Sequence, residues 1–135
     1  MKALSIRQPW ALSIIYGGKD IENRNWTTRH RGLIAIHASS KMTREDLNDW
    51  KWHVEDHKLR GPWCEGKKLG DLQRGGIIGV AEITGCAVSS NSPWFVGEYG
   101  FILANPRPVP FIPMKGQLSL FDLSPEIAEQ IGALL

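Results

Sequence analysis

The spacing of apolar and polar residues changes several times along the chain, and each change predicts an element. Lys2 to Ile6 reads as a short strand, and Pro9 then suits the first turn of a helix. Trp10-Ala-Leu-Ser-Ile-Ile-Tyr16 carries that helix until Gly17-Gly18 stop it. Ile21 to Arg24 fits a brief strand leaving the glycine turn, and Arg31-Gly32 marks another turn. Leu33-Ile-Ala-Ile-His37 is apolar on both faces, the mark of a central strand, with Leu33, Ala35 and His37 on one side and Ile34 and Ile36 on the other.

Thr43 to Lys58 reads as a helix capped by Thr43, with Glu45 and Asp46 in the first turn, where the helix dipole favours acids. Leu47, Trp50 and Val54 share one face of it, and Trp52 points away. Residues 60–76 hold Gly61, Pro62, Gly66, Gly70, Gly75 and Gly76 and predict an extended, irregular connection. Strands follow at Ile77–Thr84 and Gly97–Leu103, then a proline-punctuated crossing at Asn105-Pro-Arg-Pro-Val-Pro110 and a last strand at Leu118–Leu123. Ser124-Pro-Glu starts a final helix with Ile127, Ile131 and Leu134 on its apolar side. Five or six strands, two or three helices and many Gly/Pro breaks predict a small α+β domain around a partly closed barrel. No repeat or long linker divides residues 1–135, so a single domain is expected.

Composition refines this picture. An apolar fraction of 42% and a charged fraction of 22% are those of an ordinary globular chain. No apolar run is long enough for a membrane-spanning helix, and Arg7, Gln8 and Pro9 interrupt the N-terminal stretch as no signal peptide would. Cys64 and Cys86 match neither a disulfide framework nor a metal-ligand spacing, so reduced thiols and a cytoplasmic location are the default expectation. The net charge is only +2, but it is uneven: Lys2, Arg7, Lys19, Arg24, Arg29 and Arg31 face only Asp20 and Glu22 through residue 40. A basic N-terminal third suits an anionic ligand, although a solvated face would look the same. Six tryptophans are about three times ordinary usage; some must fill the core, and indole rings also stack on bases.

The densest chemistry lies in Gly17-Gly-Lys-Asp-Ile-Glu-Asn-Arg-Asn-Trp26. A two-glycine turn allows close backbone approach. Lys19 offers a point charge to a phosphate, or an amine whose pKa falls on burial. Glu22 can accept from an exocyclic amino group or shuttle a proton. Arg24 can grip a phosphate or simply pair with Glu22, since the two share a strand face. Trp10 and Trp26 flank the stretch, each a stacking platform or a core residue. His37, leading to Ser39 at a strand end, can serve as an acid/base or as a satisfied core group. Arg7 and Gln8, just before the first helix, complete the candidate ligand-binding set.

Gly18-Lys19-x-x-Glu22-x-Arg24 resembles the G-x-K-x-x-E-x-R signature of ASCH domains, members of the PUA-like superfamily. The likeness extends in order through Ala3-Leu-Ser-Ile-Arg-Gln-Pro-Trp10, Arg31-Gly32, Ile36-His-Ala-Ser39, Gly79-Val-Ala81, Tyr99-Gly-Phe101 and Pro113-x-x-Gly116. It implies a PUA-like mixed β-barrel with flanking helices and a cleft beside the signature loop that takes RNA or a modified nucleoside. Some small bacterial members are hydrolases of acetylated cytidine, and a ribonuclease has been described among them. In the amidohydrolase-like members the signature lysine works with the residue at the glutamate position and a further glutamate. Lys19 matches that lysine, which with Glu22 makes the candidate catalytic pair. Glu22 stands where the small hydrolases carry a threonine, a departure from their pattern. Glu98 and Glu82 are the candidates for the third position. The resemblance implies no cofactor.

Two further stretches carry their own readings. His53-Val-Glu-Asp-His57 sets two histidines one helical turn apart, as zinc helices do, but no third ligand is evident and a solvated helix flank is expected. Gln117-Leu-Ser-Leu-Phe121 resembles the pentapeptide by which bacterial replication and repair proteins dock on the sliding clamp, inserting a leucine and a phenylalanine into apolar pockets. The same residues also fit the last strand of the barrel. Three functions follow in order: an RNA-binding module, a hydrolase using Lys19 and Glu22, and an adaptor that contacts a sliding clamp.

Overall fold

The computed structural model describes residues 1–65 and 72–135, so residues 66–71 of the glycine-rich connection lie outside the described residues. The elements run β1 (Lys2–Ile6), α1 (Trp10–Tyr16), β2 (Ile21–Arg24), β3 (Gly32–Ala38), α2 (Arg44–Asp56), β4 (Gly76–Ala87), β5 (Tyr99–Pro113), β6 (Leu120–Asp122) and α3 (Pro125–Leu134). The six strands form one mixed sheet in the order β2-β5-β4-β3-β1-β6. Among the described residues only β1 and β3 pair in parallel, with Ala3 opposite Ala35; the other pairs are antiparallel. The sheet curls into a half-barrel, as expected of an α+β barrel-like domain. Register shifts at Ile36/His37 and at three points between β4 and β5 supply local bends of the kind that curl a sheet.

Strand alternation sorts the core into two faces. Leu4, Ile6, Ile34, Ile36, Ile78 and Ile83 pack beneath α1, which contributes Ala11, Ile14 and Ile15. Ala3, Ala35, Ile77, Val80, Phe121 and Leu123 pack on the opposite face against Ile131 of α3. Both faces of β3 are covered, as its unbroken apolar run predicts. A third cluster joins Trp50 and Val54 of α2 to Ile21, Cys64 and Trp94, while Trp52 stands 67% exposed on the far side of the helix.

Caps act where the residue types predict them. Thr43 accepts from the Asp46 amide while the Asp46 carboxylate accepts from the Thr43 amide, a reciprocal box at the start of α2. Burial works to raise the Asp46 pKa, but the Thr43 bonds and Arg7 outweigh it and hold the carboxyl below its ordinary value. The Trp50 indole N–H donates to Ser13 Oγ at 2.8 Å, tying α2 to α1.

Several expected boundaries differ, two of them substantially. The proline-punctuated stretch is no crossing: β5 continues through it to Pro113. β2 covers β5 only along Tyr99–Ile102, so beyond that point the outer edge of β5 has no strand partner among the described residues. Pro106, Pro108 and Pro110 recur at two-residue spacing there, and prolines are tolerated on an edge that asks for no N–H. The last strand is shorter than expected, Leu120–Asp122, because Ser119 takes a left-handed φ of 59°. The clamp-like pentapeptide is therefore split, with Leu118 92% exposed and Phe121 5% exposed within β6.

The sheet leaves no room beneath α1 at Gly79, where an added Cβ would lie 2.5 Å from Ile15 Cδ1 and 2.6 Å from the Arg107 carbonyl oxygen. Gly79→Ala is expected to destabilise the fold by about 1–3 kcal/mol, since backbone cannot yield as a side chain can. Gly132→Ala in α3, with open space around it, should be neutral or stabilising by up to about 1 kcal/mol. Urea unfolding of the two variants side by side checks both.

Candidate functional site

A cleft of about 1250 Å³ opens where β1 and β3 end, between the α1–β2 turn, the β4–β5 loop and the segment after β5. Its deepest charged group is Lys19, delivered there by the turn that follows α1. Gly17 caps that helix, Gly18 takes a left-handed φ of 71°, and the Lys19 amide donates back to the Ser13 carbonyl at 3.0 Å. The side chain then runs inward and is only 4% exposed. Its Nζ donates to the Ile21 carbonyl, lies 3.3 Å from Glu22 Oε1, and sits 5.9 Å from the ring centroids of both Trp10 and Trp94.

Glu22 and Arg24 share a face of β2, and they do pair: Arg24 Nη2 lies 2.9 Å from Glu22 Oε2. The same nitrogen donates to the Ser5 carbonyl at 3.0 Å, so one carboxylate bridges two cations and the Arg24 guanidinium fastens β2 to β1. Burial lowers the Lys19 pKa from its ordinary value, Glu22 opposes the shift, and Arg24 adds to it. Arg24 Nε has no partner among the described residues.

The other expected site residues divide clearly. Trp10 lines the cleft, meeting Trp94 edge to face at 6.5 Å and His53 at 5.9 Å. Arg7 and Ser39 line it too, Arg7 paired with Asp46 at 3.3 Å. His37 reaches it but is 1% exposed, with both ring nitrogens engaged. Nε2 lies 2.8 Å from the Met114 carbonyl, which can only accept, so in the neutral ring Nδ1 accepts from the Ser5 hydroxyl at 2.9 Å. This geometry makes His37 a tie between β3, β1 and the segment after β5.

Gln8 and Trp26 are not brought to the cleft. Gln8 accepts from the Leu12 amide at 2.9 Å and donates to the Gln73 carbonyl at 2.9 Å, the work of a buried brace at the start of α1. Trp26 packs edge-on against Phe101 at 5.0 Å, because the chain turns once β2 ends at Arg24. Of the two candidate third carboxylates, Glu82 accepts from Asn105 at 3.1 Å and Glu98 is exposed; neither lines the cleft, whereas Asp46 does.

Trp94, Asn23 and His53 belong to the cleft although sequence spacing did not single them out for it. Trp94 comes from the loop between β4 and β5, and two residues of the signature stretch hold that loop. Asn23 Nδ2 donates to the Trp94 carbonyl at 2.9 Å, and Asn23 Oδ1 accepts from the Val96 and Gly97 amides. Asp20 accepts from the Ser92 hydroxyl, which in turn accepts from the Trp94 amide. His53 is stacked between Trp94 and His57, and burial, then His57, lower its pKa. No cluster of three or more His, Cys, Asp or Glu able to hold a metal occurs among the described residues.

A curled mixed sheet flanked by three helices, with a lysine–glutamate–arginine chain rising from a glycine turn into its cleft, defines an ASCH-type domain. The ASCH domain model matches residues 4–110, and the chain belongs to that family. Its fold is similar to the crystal structure of ASCH from Zymomonas mobilis, with a TM-score of 0.61 and 17% identity over 98% of this chain and 94% of that one. A tyrosine-to-phenylalanine mutant of that protein aligns with a TM-score of 0.59, again at 17% identity, over 98% of this chain and 96% of that one. At that identity the likeness concerns the fold alone. The chain is also 28% identical over 139 residues to activating signal cointegrator 1 of Homo sapiens, and 28% identical over 137 residues to its Mus musculus counterpart. Each match covers 92% of this chain and 22% of the relative, so the chain spans about a fifth of their length. No helix among the described residues is long and apolar enough to cross a membrane.

Asn23 is the hinge pin of the aromatic wall. Asn23→Ala is expected to speed amide exchange at Val96 and Gly97 by about tenfold or more, since both lose their acceptor. The Phe101 and Leu103 amides in β5 should be unchanged. Hydrogen exchange resolved by residue checks this.

Proposed function

We propose that this domain binds RNA, holding one base, plain or modified, in the cleft above Lys19 and against the Trp10–Trp94 wall. The observation that carries this reading is the Lys19 ammonium at the cleft floor, 5.9 Å from the centroids of both rings. Proteins that read single-stranded RNA splay a base from the strand, stack it on an aromatic ring and contact its edge with polar groups. The basic N-terminal third and family membership support the same ligand class. A cytoplasmic site of action fits two free cysteines.

One observation favours hydrolysis as a second reading. Burial lowers the pKa of Lys19, which raises the fraction of neutral amine able to take a proton or attack a carbonyl, and Glu22 stands 3.3 Å away to relay a proton. An acylated nucleoside or an RNA phosphodiester would be the substrate. The sliding-clamp adaptor gains no such support, because the phenylalanine it would insert is buried in β6.

Because Lys19 is enclosed, the bulkier arginine is a poor probe of its role. Lys19→Met keeps the volume of the stem and removes the charge. For a binding module, Lys19→Met should weaken RNA retention by about tenfold or more, equivalent to about 1.4 kcal/mol, with the fold intact by circular dichroism. For a hydrolase, the variant should lose turnover of acylated nucleosides or RNA. Wild-type turnover should then rise with pH towards a plateau above the lowered Lys19 pKa, since the deprotonated amine is the active form. Unchanged binding and turnover in Lys19→Met would remove the cleft floor from both readings.

A further inference from the structure

We infer that the cleft has a phosphate subsite formed by Lys41 and Lys115, so that its ligand is a nucleotide or an RNA strand rather than a free nucleoside. This inference rests on the base-binding reading above and names the chemistry at the other end of the same cleft.

The two lysines come from distant segments that backbone bonds hold together. The Ser39 amide donates to the Ile6 carbonyl at 2.9 Å, the Gly75 amide to the Ala38 carbonyl at 2.7 Å, and the Met114 amide to the Gly75 carbonyl at 3.0 Å. These three bonds gather the ends of β1, β3 and β5 and the start of β4 at one end of the cleft. Lys41 follows Ser39 and Ser40 there, its amide donating to Ser39 Oγ at 3.2 Å, and Lys115 follows Met114. Gly116 lies so close to His37 and Ser5 that a Cβ would fall 2.7 Å from each, which fixes the path of the chain beside Lys115.

Charge separates this end from the aromatic one. Among the described residues, Lys41 and Lys115 have no carboxylate partner within 4.0 Å, whereas the other lysines and arginines lining the cleft are all paired. Arg7 has Asp46, and Lys19 and Arg24 share Glu22. Two ammonium groups without a carboxylate partner among the described residues, beside the Ser39 and Ser40 hydroxyls, suit a phosphate, which lysine meets as a point charge. At about 1250 Å³ the cleft is larger than the few hundred to about 1,000 Å³ of ordinary small-molecule sites, leaving room for a phosphate besides the base.

Calorimetric titration of the whole chain with a nucleoside, its 5′- and 3′-monophosphates and a short single-stranded RNA, at low and moderate salt, tests the subsite. A Lys41→Ala/Lys115→Ala variant is run beside the wild type, with Arg60→Ala, beyond the C-terminal end of α2 and outside the cleft lining, as a control for lost charge. Lys41, Lys115 and Arg60 are exposed, so these variants should fold. The expected result is that phosphorylated ligands bind at least about tenfold more tightly than the nucleoside, with a preference that weakens in salt. The double variant should lose that preference and keep nucleoside affinity, while Arg60→Ala keeps both. Gain with the monophosphates assigns the subsite to nucleotides; gain with RNA alone assigns it to the polymer backbone. Equal binding of nucleoside and phosphorylated forms, or a preference that survives in the double variant, overturns the subsite and leaves base binding standing. Failure of every ligand to bind overturns both.

Discussion

A lysine ammonium that is almost wholly enclosed sets the terms for everything around it. Taking such a charge from water costs several kcal/mol, and the cost is bearable only with close opposite charge and hydrogen bonds. Glu22 supplies the charge and the Ile21 carbonyl supplies an acceptor. Glu22 in turn is shared with Arg24, whose guanidinium reaches the Ser5 carbonyl. Removing Glu22 would leave the enclosed Lys19 ammonium without its counter-charge, a loss of about 3–5 kcal/mol in comparable sites, whereas Glu22 keeps one partner when either cation is removed. The order of the signature residues follows from that requirement. The glycines turn the chain inward, the lysine enters, and the glutamate and arginine on one face of the next strand compensate it and each other.

The polar stretch from Gly17 to Trp26 has two jobs. Lys19, Glu22 and Arg24 face the cleft, while Asp20 and Asn23 grip the loop that carries Trp94. One short segment thus sets both the floor of the site and the position of its aromatic wall. The wall is built as a box rather than a stack: the Trp10 and Trp94 planes cross at 86°, and His53 closes one side. Such a box leaves the ammonium between ring faces and edges, where water is scarce and each polar contact counts for more.

Much of this was legible in the order of residues. Period and punctuation located the nine elements found among the described residues, because the apolar runs are short and glycine, proline or a capping residue separates most of them. Lys19, Glu22, Arg24 and Trp10 were legible as neighbours because a tight turn and one strand bring them together. Trp94 was not: it lies 71 residues beyond Asn23, and only a side-chain-to-backbone bond joins them. Trp26 misled for the opposite reason. It continues the alternation of Glu22 and Arg24 in sequence, but the strand ends first and the ring turns onto Phe101. Gln8 and His37 have the polar groups of ligand contacts, yet the backbone around them uses those groups. The prolines of β5 read as a break because propensity says nothing about which edge of a strand lacks a neighbour.

The place of β1 in the sheet has a consequence for how the chain assembles. Its parallel partner is β3, but its other neighbour is β6, so Ala3 is aligned with Phe121 across nearly the whole described length of the chain. On a ribosome the first strand would emerge long before the last one exists. Its apolar face can be partly covered early by α1 and β3, whereas one backbone edge must wait. Closing so long a loop is entropically costly, and long-range strand pairing of this kind is slow. The segment that lines the cleft from Lys115 to Ser119 is the lead-in to β6. The ligand-binding surface would thus be among the last parts of the fold to mature, completed only when the final strand docks.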